Sequence, residues 1–335
     1  MFPVLKKILI NQPILRKGHV ILSKNAVRRI EMKLKEMLQD YLEYCQYRKE
    51  LDNKTVKAYR IDLRQYFEFV GECDLDKNWI ERYITNLHKN FRQKTVKRKI
   101  ASVKAFYNFL EDEELIQENP FRKIKVKFKE TSELPKIIPR EKIEQLLQSM
   151  YTDLKIRKKK EKSILRDIAV VETLFATGAR VSEISNIKKE NINLNTGVIR
   201  IMGKGGKERY ILIGERSVLE LLKRYYEQNY ENIKQSGYFF VNRDGERFSE
   251  QSIRLMIKRY AKNAGIERNI TPHMFRHSFA TYLIEEGVDI SCVQRILGHS
   301  SIKTTQIYIH VASKKQAEIL RDMHPRQYMK VGLVA

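Results

Sequence analysis

The chain has 335 residues, 42% of them hydrophobic, which is enough for two domains that each bury a core. Its 65 Lys and Arg against 41 Asp and Glu leave a formal charge of +24 and a pI near 9.8, a field that favours a polyanion, with nucleic acid the first candidate. No apolar run approaches the ~20 residues that span a bilayer, and the start Met1-Phe2-Pro3-Val4-Leu5-Lys6-Lys7 is not built like a signal peptide. Cys45, Cys73 and Cys292 are too few and too scattered for a disulfide frame or a zinc site, so a reducing, cytoplasmic setting is expected, away from membranes.

Residues 1–30 are basic and weakly patterned and read as an arm or extension. From about Glu31 the spacing turns helical. Leu38, Tyr41, Leu42 and Cys45 form one stripe, and Val56, Tyr59, Leu63, Tyr66, Phe67 and Val70 a second. Trp79, Ile80, Tyr83, Ile84 and Leu87 predict a third helix, and Ile100, Val103, Phe106, Tyr107, Phe109 and Leu110 a fourth. This helical domain is expected to break near Asn119-Pro120. In the following stretch, Arg122 to Lys129, lysines alternate with apolar residues. An extended segment there would have one basic and one apolar face, and it reads as an interdomain linker lying near DNA.

A helix is expected to open at Pro139-Arg140-Glu141-Lys142, and the basic run Lys155 to Lys162 reads as an exposed loop or helix end. Arg166 to Phe175 reads as a buried helix running into Gly178. Val198 to Ile201 and Tyr210 to Ile213 read as two short strands joined by a turn at Gly203-Lys204-Gly205-Gly206-Lys207, and the chain after about Glu250 as mostly helical. In the helical domain, Lys54, Thr55, Lys57 and Arg60 lie at the start of one helix. Gln93, Lys94, Thr95, Lys97, Arg98 and Lys99 lie at the start of another. Basic and hydroxyl residues at helix N-termini suit phosphates and groove edges, so these clusters are the expected DNA face.

Four strings carry the chemistry: Gly178-Ala179-Arg180-Val181-Ser182-Glu183, His273-Met274-Phe275-Arg276-His277, Leu297-Gly298-His299-Ser300 and Thr304-Thr305-Gln306-Ile307-Tyr308-Ile309-His310. Two arginines, two or three histidines and a tyrosine can surround a phosphodiester and attack it without a metal. Arginine suits this because its planar fork donates two bonds to one phosphate and stays charged. His273, Arg276 and His277 share one helical face. The spacing of His273 and His277 also occurs in zinc helices, but Met274 stands where that motif needs glutamate, so no metal is expected. The hairpin Gly203 to Arg209 lacks the nucleotide-loop string, and its flanks are strand on both sides.

The strings resemble the active-site boxes of the tyrosine recombinases, the phage-integrase and Xer-like family, in order and spacing. The resemblance is strong over the last half of the chain and looser before it. It implies a mainly α fold with a small β-sheet, in which a helical core-binding (SAM-like) domain at 31–120 and a linker at 121–139 precede a catalytic domain at 140–335 with a C-terminal helix. It makes Tyr308, nine residues after His299, the nucleophile. It makes His273 the proton-handling histidine, His299 a phosphate-bonding group and Lys204 the general acid for the leaving 5′-oxygen, with Lys207 the alternative. Glu183 lies about one helical turn after Arg180 and would orient it, and His277 would be a buried support. His310 is left as a packing residue.

The resemblance further implies a site-specific recombinase that cleaves and rejoins double-stranded DNA through a 3′-phosphotyrosyl bond and a Holliday junction. It would use no cofactor and act as a homotetramer on two DNA sites, with the C-terminal helix (Lys314 to Met323) exchanged between neighbours and accessory proteins as further partners. Two other readings compete. One is a type IB topoisomerase-like enzyme that relaxes DNA as a monomer. The other is a non-catalytic DNA-binding accessory protein.

Overall fold

A computed structural model of the chain describes residues 36–71, 77–126, 128, 135–203 and 208–298. The candidates Lys204, Lys207, His299, Tyr308 and His310 lie outside the described residues. So do the arm 1–30, the hairpin turn at 204–207 and the stretch Lys314 to Met323. Two compact units are present, Met1–Thr131 and Ser132–Ala335.

In the first unit, residues 36–43 are helical and pass into a π-helical turn, Tyr44–Arg48. Three longer helices follow: α1 (Asn53–Val70), α2 (Lys77–Asn90) and α3 (Gln93–Asp112). Each repeats apolar residues every three or four positions, and the resulting stripes bury one another. Leu63 and Tyr66 from α1, Ile80 and Leu87 from α2, and Val103, Phe106 and Leu110 from α3 meet in one core. Burying each such side chain stabilises the unit by roughly 1.5–3 kcal/mol. The core also encloses a carboxylate, Asp62. Lys99 Nζ (3.2 Å), Ser102 Oγ (2.8 Å) and the Arg98 guanidinium all donate to it. A buried charge needs such partners, and this one draws Lys99 inside the protein.

The last of these helices stops at Asp112, well before the proline expected to break it. Glu114 takes a left-handed φ of 55°, which turns the chain. Pro120 instead opens a 3₁₀ turn, Pro120–Lys123, whose first residues are held by Asn119 Oδ1 accepting the Phe121 N–H at 2.9 Å. Within it Phe121 is buried, and beyond it Ile124, Val126 and Phe128 pack on the same core. The apolar face of the alternating basic stretch therefore has a physical partner within this unit.

The second unit is built around α5 (Glu161–Thr177), which buries Leu165, Ile168, Val171 and Leu174 completely. Against it pack α4 (Arg140–Ile156), α7 (Arg216–Gln228), α9 (Glu250–Asn263) and α10 (Pro272–Glu285). Shorter helices fill the gaps: α6 (Val181–Ser185), α8 (Tyr230–Ser236) and α11 (Ile290–Leu297). One antiparallel sheet carries the order β1 (Ile192–Asn193), β2 (Val198–Met202), β3 (Glu208–Leu212). The two strands expected from the sequence are β2 and β3; β1 is too short to leave a period-2 signal. The register pairs Ile199 with Ile211 and Ile201 with Arg209. Because alternate residues share a face, Arg209 lies on the same face as the buried Ile211, while Tyr210 and Leu212 face solvent. Where the chain enters this unit, Ile138 donates its N–H to Ser278 Oγ at 2.7 Å and accepts from Tyr282 Oη at 2.5 Å. No helix among the described residues is long and apolar enough to cross a membrane.

Candidate active site

The site grows from the end of α5. Gly178 closes that helix with φ +59°, and a Cβ there would stand 2.4 Å from Phe279 Cδ1 and 2.9 Å from Leu297 Cδ2. Only glycine fits both the left-handed backbone and the close approach of α10 and α11. Two residues on, Arg180 is the N-cap of α6, and its backbone N–H donates to Glu183 Oε2 at 2.7 Å. Its guanidinium Nη1 also donates to Glu183 Oε1 at 2.9 Å, yet its side chain keeps 37% of its exposure. Glu183 thus accepts two hydrogen bonds from Arg180, one helical turn before it.

Arg276 reaches the same turn from α10. Its Nη1 donates to Gly178 O and its Nη2 to Leu297 O, both at 2.7 Å. One buried guanidinium therefore ties the turn that carries Arg180 to the last residue of α11, two residues before His299. His273 is exposed one turn earlier on α10, and His277 is half-buried beyond Arg276. Burial, and then the charges of His273 and Arg276, hold the His277 imidazole below its ordinary pKa. Among the described residues no group of three His, Cys, Asp or Glu is assembled that could hold a metal, so the zinc-like spacing of His273 and His277 gains no third ligand there.

Gly298 is the left-handed end of α11, with φ +64°. It therefore closes the helix on which the Leu-Gly-His-Ser string begins.

One residue of this site was not singled out from the sequence. Arg209 of β3 donates Nη1 to Glu183 Oε1 at 2.9 Å and Nη2 to Oε2 at 2.8 Å. Its Nε donates to Ile296 O at 3.0 Å. Burial works against the Glu183 charge, but the hydrogen bonds from Arg209 and from the Arg180 N–H, with both positive charges, outweigh it and hold the carboxyl below its ordinary value. The available signal was parity. Arg209, Ile211 and Ile213 alternate to one side, but the apolar Tyr210 and Leu212 between them mask the alternation.

The expected DNA face lies in the first unit. Lys54, Lys57, Arg60, Lys94 and Lys97 are exposed. Thr55 caps α1 with Asp52, its N–H donating at 2.9 Å and its Oγ1 at 3.0 Å, while Thr95 is half-buried. Arg98 is half-exposed and joined to Asp62, and Lys97 Nζ lies 5.0 Å from the centre of the Phe128 ring.

The described residues thus form a helical N-terminal unit followed by a mostly helical unit with a three-stranded sheet. The Phage integrase family description matches residues 136–315, and the Phage integrase N-terminal SAM-like domain matches 38–114. A tyrosine recombinase of Agathobacter rectalis is 47% identical over 299 residues, spanning 88% of this chain and 98% of that protein. Tyrosine recombinase XerD of Listeria monocytogenes serotype 4b is 34% identical, spanning 88% and 100%. The XerH site-specific recombinase, solved bound to a palindromic difH substrate after cleavage, shares the fold with a TM-score of 0.65 at 20% identity, over 96% of this chain and 94% of that one. The chain therefore belongs to the phage integrase family, as a Xer-like tyrosine recombinase, an enzyme of site-specific recombination.

Proposed function

We propose that the protein cleaves and rejoins strands of double-stranded DNA at paired sites through a 3′-phosphotyrosyl intermediate. The observation that carries this reading is the convergence of Arg180 and Arg276 on one turn: Arg276 is bonded to Gly178 O, and Arg180 follows two residues later on Glu183. Two guanidiniums so placed can share the non-bridging oxygens of one phosphate and stabilise the charge that builds there in the transition state. Tyr308 is the nucleophile; it attacks phosphorus and displaces the 5′-oxygen. An ordinary tyrosine has a pKa of ~10, and the cationic surroundings lower the cost of its deprotonation. His273 accepts that proton, His299 donates a hydrogen bond to the phosphate, and Lys204 protonates the leaving 5′-oxygen. The freed 5′-hydroxyl of a partner strand then attacks the phosphotyrosine, restoring the backbone and the tyrosine. Because the covalent bond keeps the phosphodiester energy, no energy-rich cofactor is needed.

In this reading residues 31–120 form the core-binding domain, 121–139 the linker and 140–335 the catalytic domain. Lys54, Thr55, Lys57, Arg60, Lys94, Thr95, Lys97 and Arg98 face the duplex. Two rounds of exchange pass through a Holliday junction within a homotetramer joined by C-terminal helices. A lambda integrase tetramer solved on a Holliday junction shares the fold, with a TM-score of 0.64 at 17% identity over 87% of this chain and 82% of that one. The test is a duplex nicked beside the cut site, which traps the covalent product. The native protein should form the adduct. Tyr308→Phe, which keeps the ring and loses the attacking oxygen, should bind the duplex and form none. An adduct formed equally well by Tyr308→Phe would remove Tyr308 from the nucleophile's role.

A further inference from the structure

Glu183 holds two arginines, and only one of them is used by the proposed chemistry. Arg180 keeps 37% of its side-chain exposure, whereas Arg209 keeps 12%. Arg209 occupies both carboxylate oxygens with a fork of two bonds, while the Arg180 guanidinium takes one oxygen through one nitrogen. The pairing is thus unequal: the buried arginine has the bidentate geometry and the exposed arginine the weaker, single contact.

We propose that Arg209 is a positioning residue that occupies Glu183 so that Arg180 is oriented by this carboxylate without being neutralised by it. The proposal rests on the reading that Arg180 binds the scissile phosphate. One carboxylate between two guanidiniums leaves a net positive charge, and that charge sits on the exposed member, where a phosphate can meet it. Without Arg209, Glu183 would be a half-satisfied buried anion beside a single guanidinium. The carboxylate would then close a two-bond pair with Arg180, and a phosphate would have to break that pair before it could be held. Arg209 has a second point of purchase, because its Nε donates to Ile296 O and its Cδ lies 3.0 Å from where a Cβ on Gly298 would stand. The same side chain therefore sets the height of the last turn of α11 against the arginine turn. Strand parity explains how a charged residue reaches this place: Arg209 shares the inward face of β3 with Ile211.

The test uses the full chain and the nicked duplex, comparing single-turnover cleavage, duplex affinity and urea unfolding for Arg209→Gln, Arg209→Lys, Glu183→Gln and the double variants. Arg209→Gln should slow cleavage on the order of 10- to 100-fold, less than the ~10²- to 10³-fold for losing one transition-state donor outright, with duplex affinity changed less than about threefold. Arg209→Lys keeps the charge without the fork and should fall between. The deciding readout is the sign of the coupling. If Glu183 captures Arg180 when Arg209 is absent, removing the carboxylate charge should help, so Arg209→Gln with Glu183→Gln should cleave faster than Arg209→Gln alone. A purely structural role predicts that the double variant gains rate only in step with the stability it regains in urea unfolding, because Glu183→Gln also removes an unpaired buried charge, and a rescue that tracks stability, or no rescue, would overturn the proposal. Should Arg209→Gln fail to fold, the same comparison is made between Arg209→Lys with and without Glu183→Gln. If the native protein forms no adduct at all, the reading of Arg180 falls first, and this proposal with it.

Discussion

Arg180 and Arg276 are given the same chemistry, but they stand in different surroundings. Arg276 is 4% exposed and satisfies two main-chain carbonyls, Gly178 O and Leu297 O. Arg180 is far more exposed, and its carboxylate partner has a second arginine. Each arginine changed to alanine should slow cleavage about 10²- to 10³-fold, the scale for losing one preorganised donor. Their stabilities should separate. Arg276→Ala strands two buried acceptors, each costing roughly 1–3 kcal/mol, whereas Arg180→Ala should stay within about 1 kcal/mol of the native protein because its ion pair is partly solvated. Urea unfolding beside single-turnover cleavage measures both. Equal stabilities would mean that the Arg276 bonds to Gly178 and Leu297 are not part of the working fold.

At the scale of elements, the site is a meeting of helix ends. The C-terminus of α5, the short α6, the C-terminus of α11 and the face of α10 converge because Gly178 lets α10 and α11 approach to a distance that no Cβ allows. Gly178→Ala adds one carbon against Phe279 Cδ1 and places a side chain at φ +59°. Left-handed strain and overpacking together should cost roughly 2–5 kcal/mol. Relieving them means moving α10, and Arg276 moves with it, so the surviving folded protein should also cleave slowly. A destabilisation below about 0.5 kcal/mol in urea unfolding would show that the contact yields easily. Strand β3 matters in the same way: its parity, rather than its hydrophobicity, delivers Arg209 to Glu183.

On the scale of the whole molecule, each unit has its own core, and each encloses a charge held by partners. In the second unit Asp167 is held by Arg166 and Arg259, at 2.6 and 2.9 Å; burial raises its pKa against those two charges. In the first unit the charge is Asp62, under the helices expected to face DNA. Asp62→Ala leaves the Lys99 ammonium, 4% exposed, without this counter-ion, at a cost of about 3–5 kcal/mol. Hydrogen exchange should therefore show protection falling across α1 and α3 while α5 keeps its own. The same variant releases the half-exposed Arg98, which is then able to meet phosphate more freely. Duplex affinity measured on protein that remains folded should not fall, and a large loss would mean that Asp62 orients Arg98 for DNA.

Much of this protein is written in local patterns. The helical stripes of the first unit are legible because every helix there has one apolar face, and α5 is legible as a buried run ending in glycine. The four strings point to phosphodiester chemistry because their residue types are useful together and stand at helical spacings: His273 with Arg276, and Arg180 with Glu183. The pairing of Arg276 with Gly178 and Leu297, and of Arg209 with Glu183 and Ile296, leaves no such trace. Those contacts join residues separated by 98, 21, 26 and 87 positions. The burial of Lys99 is equally silent, since Lys94, Lys97, Arg98 and Lys99 read alike as basic residues at the start of one helix until Asp62, from another helix, draws one lysine inside. Periodicity reports the face that a residue occupies on its own element. Which charge it meets there is decided by packing between elements, and only the tertiary structure supplies that.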